Sequence, residues 1–263
     1  MLVLLGFVEG KLKIEPASRE EEIKPNDHVT ITIVYDNNGY EAGLTPAWGF
    51  SCVVKVLEKT ILFDTGGDGG ILLDNMKKLG VGTSKIDAIV LSHIHGDHTG
   101  GLKKFLDQNS EVTVYLPRSF PRQMKQDIAS SGAGVKDLHE PAELFQGVFT
   151  TGELDGGTKE QSLLLESSHG LIVITGCAHP GIVNITKKAI EITGNNVYLA
   201  VGGFHLGGEF TSQISYVAES LLRLGMQKVA LCHCSGDEAR KVFRDCFGED
   251  YIDSGVGKGI VIT

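Results

Sequence analysis

Three histidines and one aspartate stand within six consecutive positions of this chain, in the stretch LSHIHGDHTGG. The residues before them, AIVLSH at 88–93, have the continuous apolar character of a buried strand. Side chains alternate along a strand, so His93 and His95 are expected to point the same way at its carboxyl end. The chain then turns, and Asp97 and His98 can approach the same point from the start of a helix. The fold must therefore bring four polar side chains together at one strand end.

This cluster has the chemistry of a metal site. Neutral imidazoles and a carboxylate at one focus are suitable ligands for Zn²⁺, Fe or Mn. The stretch supplies two half-sites, His93 with His95 and Asp97 with His98, and each needs a further ligand from elsewhere in the chain. We therefore expect one or two divalent metal ions, with Zn as the first choice and Fe or Mn as alternatives.

Short β-rich runs alternate with helical patterns along the rest of the chain. Strands are predicted at 29–36, 50–57, 60–66, 88–93, 111–117, 162–167, 171–177, 196–203, 228–234 and 259–263, and helices at 70–80, 100–108, 120–130, 184–192, 213–225 and 238–247. The two halves share a strand–helix rhythm, which indicates two sheets that face each other with helices outside. We expect a single domain over 1–263, with an insertion or lid at 118–160, where the pattern is weakest.

The bulk composition narrows the class of partner. With 263 residues, 41% of them hydrophobic, the chain can bury a large core. A formal charge of −9 argues against a nucleic-acid or anionic-membrane binder, because such proteins need clustered Lys and Arg. A small anionic substrate needs only local positive charge or a metal. We therefore expect a small-molecule substrate of anionic character, and neither nucleic acid nor a membrane as partner.

Cysteine usage predicts a cytoplasmic location. The five cysteines form no regular framework, which is typical of free thiols in a reducing compartment. The apolar opening MLVLLGFVEG lacks a basic segment and a cleavage site, and no stretch approaches about 18 apolar residues.

The pattern H-x-H-x-D-H at a strand end resembles the signature of the metallo-β-lactamase superfamily. The match at 93–98 is complete, Gly100 and Gly101 follow it, and the resemblance covers most of the chain. It implies an α+β fold, an αβ/βα sandwich of two mixed β-sheets with outer helices. FDTG at 63–66 is similar to the family's earlier strand-end aspartate, so the resemblance implies that Asp64 orients a ligand histidine.

The remaining metal ligands depart from the family pattern. In TGCAHPG at 175–181, Cys177 stands where the family often has a metal-bridging aspartate. Either the Cys177 thiolate takes that place or His179 supplies the ligand; we favour His179 and keep Cys177 as an alternative. A separate family histidine is absent from the preceding stretch 150–162, where Glu153 or Asp155 could stand in.

Two further histidines follow predicted strands. KVALCHCSG at 228–236 resembles the family's final strand-end histidine. Alternation along that strand points His233 into the site and the two flanking cysteines away from it, so Cys232 and Cys234 are expected to pack in the interior, with a C-x-C redox or zinc site as the alternative. GGFHLGG at 202–208 sets His205 among glycines, which allow a close approach to a ligand. Its expected role is that of general acid or anion contact.

The segments GCAHPGIVN, GGFHL and CHCSG narrow the resemblance to a subfamily labelled as a 7,8-dihydropterin-6-yl-methyl-4-(β-D-ribofuranosyl)aminobenzene-5'-phosphate synthase. That subfamily tends to carry a glutamate–histidine pair where this chain has AWGFS at 47–51. The departure indicates an altered pocket wall.

Three functions follow from these patterns. The leading one is a metal-dependent hydrolase, in which a metal-activated water attacks a small ester, phosphoester or lactone. Asp97 would bind the metal and orient the water. An alternative is a pterin-type synthase or transferase, in which an amine displaces the leaving group of a phosphorylated substrate. A second alternative is a non-catalytic metal or ligand sensor, favoured by Cys177 and the missing histidine.

Overall fold

The structure is a computed structural model that describes residues 28–263. The apolar opening MLVLLGFVEG lies outside the described residues. In chain order the strands are β1 (Val29–Asp36), β2 (Phe50–Val56), β3 (Lys59–Phe63), β4 (Ala88–Val90), β5 (Thr113–Pro117), β6 (Gly134–Leu138), β7 (Ala142–Phe145), β8 (Val148–Thr150), β9 (Leu163–Ser167), β10 (Gly170–Thr175), β11 (Val197–Gly203), β12 (Lys228–Cys232) and β13 (Gly259–Ile262). The α-helices are α1 (Gly69–Lys78), α2 (Gly96–Thr99), α3 (Leu102–Leu106), α4 (Arg122–Ser130), α5 (Ile182–Thr193), α6 (Thr211–Arg223) and α7 (Asp237–Phe247).

These strands form two mixed sheets, which confirms the expected α+β class. The first sheet has the order β13-β1-β2-β3-β4-β5-β6, and the second has the order β12-β11-β10-β9-β8-β7. Strands β3 to β6 pair in parallel, as do β10 to β12, and the other pairs are antiparallel. Parallel neighbours end at the same edge of a sheet, so the loops after β3 and β4, and those after β10, β11 and β12, form two groups of neighbours.

Three apolar layers hold the sandwich together. The inner faces of both sheets share one core, in which Ile31 and Val54 of the first sheet and Ile172 and Val201 of the second are completely buried. Helices α1, α3 and α4 contribute to an outer core on the first sheet, and α5, α6 and α7 contribute to one on the second. The sheets therefore stand between two helical layers, and their strand ends are fixed from both sides.

Helix α1 shows how the sequence specifies one of these outer elements. Its N-cap is Asp68, whose carboxylate accepts hydrogen bonds from the amides of Gly70 and Ile71. An N-cap of this kind satisfies backbone donors that the helix itself leaves free. Leu72 and Met76, four residues apart, lie on one face of the helix and are buried in the outer core of the first sheet.

Two predicted strands end earlier than their patterns suggest, and both ends lead into the site. Strand β4 stops at Val90, and the histidine motif follows it in a loop that runs directly into α2. Strand β12 stops at Cys232, and His233 begins a turn of 3₁₀ helix at a backbone φ of 48°. Such left-handed backbone is uncommon for a residue with a side chain, so the tertiary structure must stabilise it.

The segment 118–160 contains regular structure. It supplies helix α4 and the strands β6, β7 and β8. Strand β6 is the last strand of the first sheet, and β7 is the last strand of the second. Among residues 28–263 no helix is long and apolar enough to cross a bilayer.

Candidate metal centre

The loop after β4 brings its own histidines into contact. His95 is the residue before α2, and Asp97 and His98 lie in the single turn of that helix. The Nε2 atom of His93 lies 3.1 Å from the Nδ1 atom of His95. His93 and His98 are completely buried, and their ring centroids are 4.2 Å apart. The sequence motif is therefore compact in three dimensions.

A first group of donor atoms combines this loop with the loop after β10. One nitrogen each from His93, His95 and His179 lies within 4.8 Å of the other two. The ring of His179 is 4.6 Å from that of His93 and 5.0 Å from that of His95. Three imidazoles at this spacing are a suitable ligand set for a divalent metal.

A second group combines the same loop with the turn after β12. Donor atoms of Asp97, His98 and His233 also lie within 4.8 Å of one another. The Oδ2 atom of Asp97 is 3.2 Å from His233 Nε2 and 3.8 Å from His98 Nε2. The Cys177 thiol lies between the two groups, because its Sγ atom is 3.2 Å from His98 Nε2 and it clusters with His93 and His98.

Four of the histidines are oriented by acceptors on their far side. His98 Nδ1 lies 2.7 Å from Asp64 Oδ2, and His179 Nδ1 lies 2.7 Å from Glu160 Oε2. An ionised carboxylate can only accept, so each of these Nδ1 atoms carries the hydrogen while Asp64 and Glu160 are ionised. For His233 the acceptor of the Nδ1 hydrogen is Asn37 Oδ1, at 2.9 Å.

His93 is oriented through a serine. Ser92 Oγ donates to Asp64 Oδ2 at 2.7 Å and accepts from His93 Nδ1 at 2.8 Å. Asp64, the residue expected to orient a ligand histidine, therefore contacts His98 directly and His93 through Ser92. With the hydrogen of each of these four rings on Nδ1, the Nε2 atom presents its lone pair toward the cluster, as in histidine-rich metal sites.

Burial keeps His93 and His98 neutral. Burial and the neighbouring His98 lower the pKa of His93 to about 3, and burial and His233 lower the pKa of His98 to about 4. The adjacent rings of His233 and His98 hold the pKa of the Asp97 carboxyl far below its usual range. Neutral imidazoles and an ionised carboxylate are the forms that bind a cation.

One buried atom tests whether a metal fits here. His233 Nε2 is buried and makes no hydrogen bond to any residue of 28–263, although Asp97 Oδ2 is 3.2 Å away. Its hydrogen is on Nδ1, so two electron-pair donors face each other without a proton between them. A cation between them satisfies both atoms, and the residues present therefore fit a metal.

Glu160 is a residue of the site that the sequence analysis missed. It is completely buried, and its carboxylate accepts hydrogen bonds from the amides of Cys177, Ala178 and His179 as well as from the His179 ring. Burial opposes its ionisation, but the bonds from His179 and these amides outweigh burial and lower the Glu160 pKa to about 2. A single carboxylate thus holds the whole turn that presents His179.

The two carboxylates considered for the missing histidine lie elsewhere. Glu153 accepts hydrogen bonds from the Ser119 amide and the His139 ring. Asp155 is exposed and lies 3.5 Å from Lys159. In the sequence, the signal for Glu160 is its position just before β9. Its role depends on contacts with residues 17 to 19 positions later, which the sequence does not show.

The prediction that both cysteines of CHCSG pack in the interior is right for Cys232 and wrong for Cys234. Cys232 is buried in the core between the sheets. The Cys234 Sγ atom instead forms a group with Cys177 and His205, all within 4.8 Å of one another. The alternation argument failed because β12 ends at Cys232, and the following 3₁₀ turn redirects the next side chains.

His205 and Trp48 lie at the rim of the centre. The ring of His205 is 4.6 Å from that of His179, and the interaction with Cys234 raises the pKa of His205. Trp48, in the AWGFS stretch, is 61% exposed and contacts the His233 ring edge-on at 4.7 Å. Beside His205 a cavity of about 370 Å³ extends along the helices α5 and α6, and its lining includes His179, His205, Lys187 and Tyr216.

The two-sheet sandwich with clustered histidines at its strand ends defines a class of protein. The family described as the metallo-beta-lactamase superfamily matches residues 49–180. The chain belongs to the metallo-β-lactamase superfamily.

Relatives within that superfamily carry more specific names. A 7,8-dihydropterin-6-methyl-4-(beta-D-ribofuranosyl)-aminobenzene-5'-phosphate synthase of Methanocaldococcus jannaschii is 31% identical over 88% of this chain and 96% of its own length. A solved structure described as a metal-dependent hydrolase of the beta-lactamase superfamily is 26% identical, with a TM-score of 0.75 over 88% of this chain and 98% of that one. The short form of human tRNase Z, at 15% identity, has a TM-score of 0.64 over 89% of this chain and 99% of its own, and shares the fold.

Proposed function

We propose that this protein is a metal-dependent hydrolase that acts on a small anionic ester, phosphoester or lactone. The observation that carries the proposal is the pair of ligand groups, His93–His95–His179 and Asp97–His98–His233, which share the loop after β4. The resemblance to the solved metal-dependent hydrolase supports it. Divalent ions in these groups, Zn first among them for a nitrogen-rich ligand set, would polarise the substrate and make a bound water acidic near neutral pH.

The protein's own groups have separate tasks in this reaction. The ionised Asp97 carboxylate lies at the edge of the cluster with 22% of its side chain exposed, so it can both bind a cation and orient a water by accepting its hydrogen bond. His205 is the general acid or anion contact at the rim. The Cys177 thiol is a further ligand between the two groups.

The cavity beside the centre supports an anionic small molecule as substrate. Lys187 contributes a positive charge to its lining, and Tyr216 a flat aromatic surface. The net charge of −9 disfavours nucleic acid as partner. The five cysteines are all free, which supports a reducing, cytoplasmic location.

A second candidate function is favoured by one specific observation. The Methanocaldococcus jannaschii relative is named as a synthase and matches nearly the whole chain. A synthase of this type would join a pterin to an arylamine. The amine nitrogen would form a bond to the pterin methylene carbon, the carbon–oxygen bond to the diphosphate leaving group would break, and one amine proton would be released.

One experiment separates these functions. The purified protein, with its metal content measured, is assayed on phosphodiesters, phosphomonoesters, lactones and a dihydropterin diphosphate ester, each with and without an arylamine. Hydrolysis of a substrate without the amine supports the hydrolase, whereas diphosphate release only with the amine supports the synthase. Bound metal without turnover of any substrate would contradict both and favour the sensor.

A further inference from the structure

We propose that Cys177, His205 and Cys234 form a third, sulfur-rich metal site beside the two histidine and aspartate groups. Their donor atoms, two Sγ atoms and one ring nitrogen, lie within 4.8 Å of one another. Ligands held about 2.0–2.3 Å from a tetrahedral zinc ion are about 3.3–3.8 Å apart, so closure around an ion requires movements of about 1 Å. Side-chain rotation of the partly exposed Cys234 and the exposed His205 is sufficient for that.

The site is assembled from three adjacent strand ends. Cys177 follows β10, His205 follows β11 and Cys234 follows β12, and these three strands are parallel neighbours. The loops are tied together, since the Gly207 amide donates to the Cys234 carbonyl at 3.0 Å. Gly203 leaves the necessary space: a Cβ atom there would lie 2.7 Å from Cys234 Sγ and 3.2 Å from Cys177 Cα.

The backbone is held in an uncommon conformation at both sides of this site. His205 has a φ of 51°, and His233, the neighbour of Cys234, has a φ of 48°. Left-handed backbone at residues with side chains costs free energy and persists where the surrounding structure imposes it. The amide of Phe204 donates to Ser235 Oγ at 3.0 Å, which fixes the two strained turns against each other. The three donor atoms are therefore placed by the fold rather than gathered by flexible loops.

The donor set defines the chemical class of the ligand. Two thiolates and one imidazole favour thiophilic ions such as Zn²⁺, Cd²⁺ or Cu⁺ over the harder ions that carboxylate-rich sites prefer. Three protein ligands leave a fourth position for water or a substrate atom. Cys177 Sγ, at 3.2 Å from His98 Nε2, would link this site to the histidine and aspartate groups. An ion here would occupy the His205 nitrogen, so the general-acid role of His205 belongs to the state without a third ion.

Cobalt binding tests the proposal directly. The full chain is freed of metal with a chelator, kept reduced, and titrated with Co²⁺, while bound metal per chain and sulfur-to-cobalt charge-transfer absorption are measured. We expect Cys234→Ser to bind about one Co²⁺ fewer per chain than the wild type and to lose most of the charge-transfer absorption, because both sulfur–cobalt bonds of this site are lost with the ion. The matched control is Cys246→Ser, which removes an exposed thiol on α7 and should change neither readout.

His205→Gln is a second variant that keeps both thiols. It should also lose about one Co²⁺ per chain while circular dichroism stays that of the wild type. If Cys234→Ser and His205→Gln bind as much Co²⁺ as the wild type with the same absorption, the third site does not exist. Hydrolysis is not a readout here, so failure of the proposed function leaves this test intact.

Discussion

The loop after β4 and the loops after β10 to β12 contribute to the same centre in different ways. The first provides His93, His95, Asp97 and His98 from six consecutive residues, and none of them has a positive φ. The second group of loops provides ligands from positions far apart in sequence, and Ala178, His205 and His233 in these loops all have positive φ values.

The difference shows two routes to the same ligand geometry. In the loop after β4, a strand end followed by one helical turn brings the ligands together locally. In the loops of the second sheet, distant groups impose the geometry. Glu160 holds the His179 turn. Asp36, the last residue of β1, and Asn37, which follows it, accept the amide and ring hydrogens of His233. We therefore expect changes in the first loop to remove ligands and changes around the second to displace them.

The largest effect is expected for His98→Ala. His98 belongs to the second ligand group and also contacts Asp64 and Cys177. Loss of a direct ligand should cost more than loss of an orienting partner, so we expect turnover to fall at least about 100-fold and bound metal to decrease. Metal analysis and rate measurement check this, with circular dichroism to verify the fold. His169→Ala is the control, since His169 is exposed at the other end of β10; wild-type activity in His98→Ala would refute the proposed centre.

A somewhat smaller effect is expected for Glu160→Gln, which changes no ligand. The amide side chain keeps one acceptor oxygen where the carboxylate used two for four hydrogen bonds. We expect metal affinity to fall about 10- to 100-fold, as for other groups that orient ligand histidines. The free energy of unfolding should fall by about 1–3 kcal/mol, because buried amides lose an acceptor. Calorimetric titration and thermal unfolding measure the two effects. Unchanged metal affinity would show that the turn containing His179 keeps its conformation without the Glu160 carboxylate.

Gly176→Ala tests how the two regions are coupled. A Cβ atom at Gly176 would lie 2.1 Å from Ser92 Oγ and 3.0 Å from Asp64 Oδ2, the groups that orient His93 and His98. A change at the end of β10 should therefore disturb the ligands of the other sheet. We expect a loss of about 1–3 kcal/mol in the free energy of unfolding, as for other overpacked interiors. A fall in metal content should accompany it. A destabilised variant with full metal content would show that the regions are independent.

The smallest effect is expected for Trp48→Ala. Trp48 is mostly exposed and contacts only the edge of His233 among the aromatic rings of residues 28–263. The free energy of unfolding should change by about 0.5 kcal/mol or less, as for other surface substitutions. If Trp48 forms the pocket wall, KM should rise a few-fold while kcat stays nearly constant. Steady-state kinetics separate the two constants, and a fall in kcat alone would assign Trp48 to the support of His233.

The sequence determined most of the architecture and one half of the centre. Predicted strands such as 29–36 and helices such as 238–247 match the structure within one or two residues, because hydrophobic periodicity is a local signal. The candidate ligands in the loop after β4 could be predicted for the same reason. Alternation along β12 predicted that His233 faces the site, and the structure brings it beside Asp97 and His98; Cys234 lies beside Cys177 and His205 because the strand ends at Cys232 and alternation no longer applies.

Only the tertiary structure decided how the other half is built. Glu160 lies 17 residues before Cys177 in sequence, and Asn37 lies 196 residues before His233, so no spacing rule connects them. The positive φ values at His205 and His233 are likewise imposed by packing and hydrogen bonds from other strands. Local patterns are set by the backbone's own periodicity. The orientation of a buried donor is set by whichever distant acceptor the folded chain places behind it, and a sequence shows such an acceptor only as one polar residue among many.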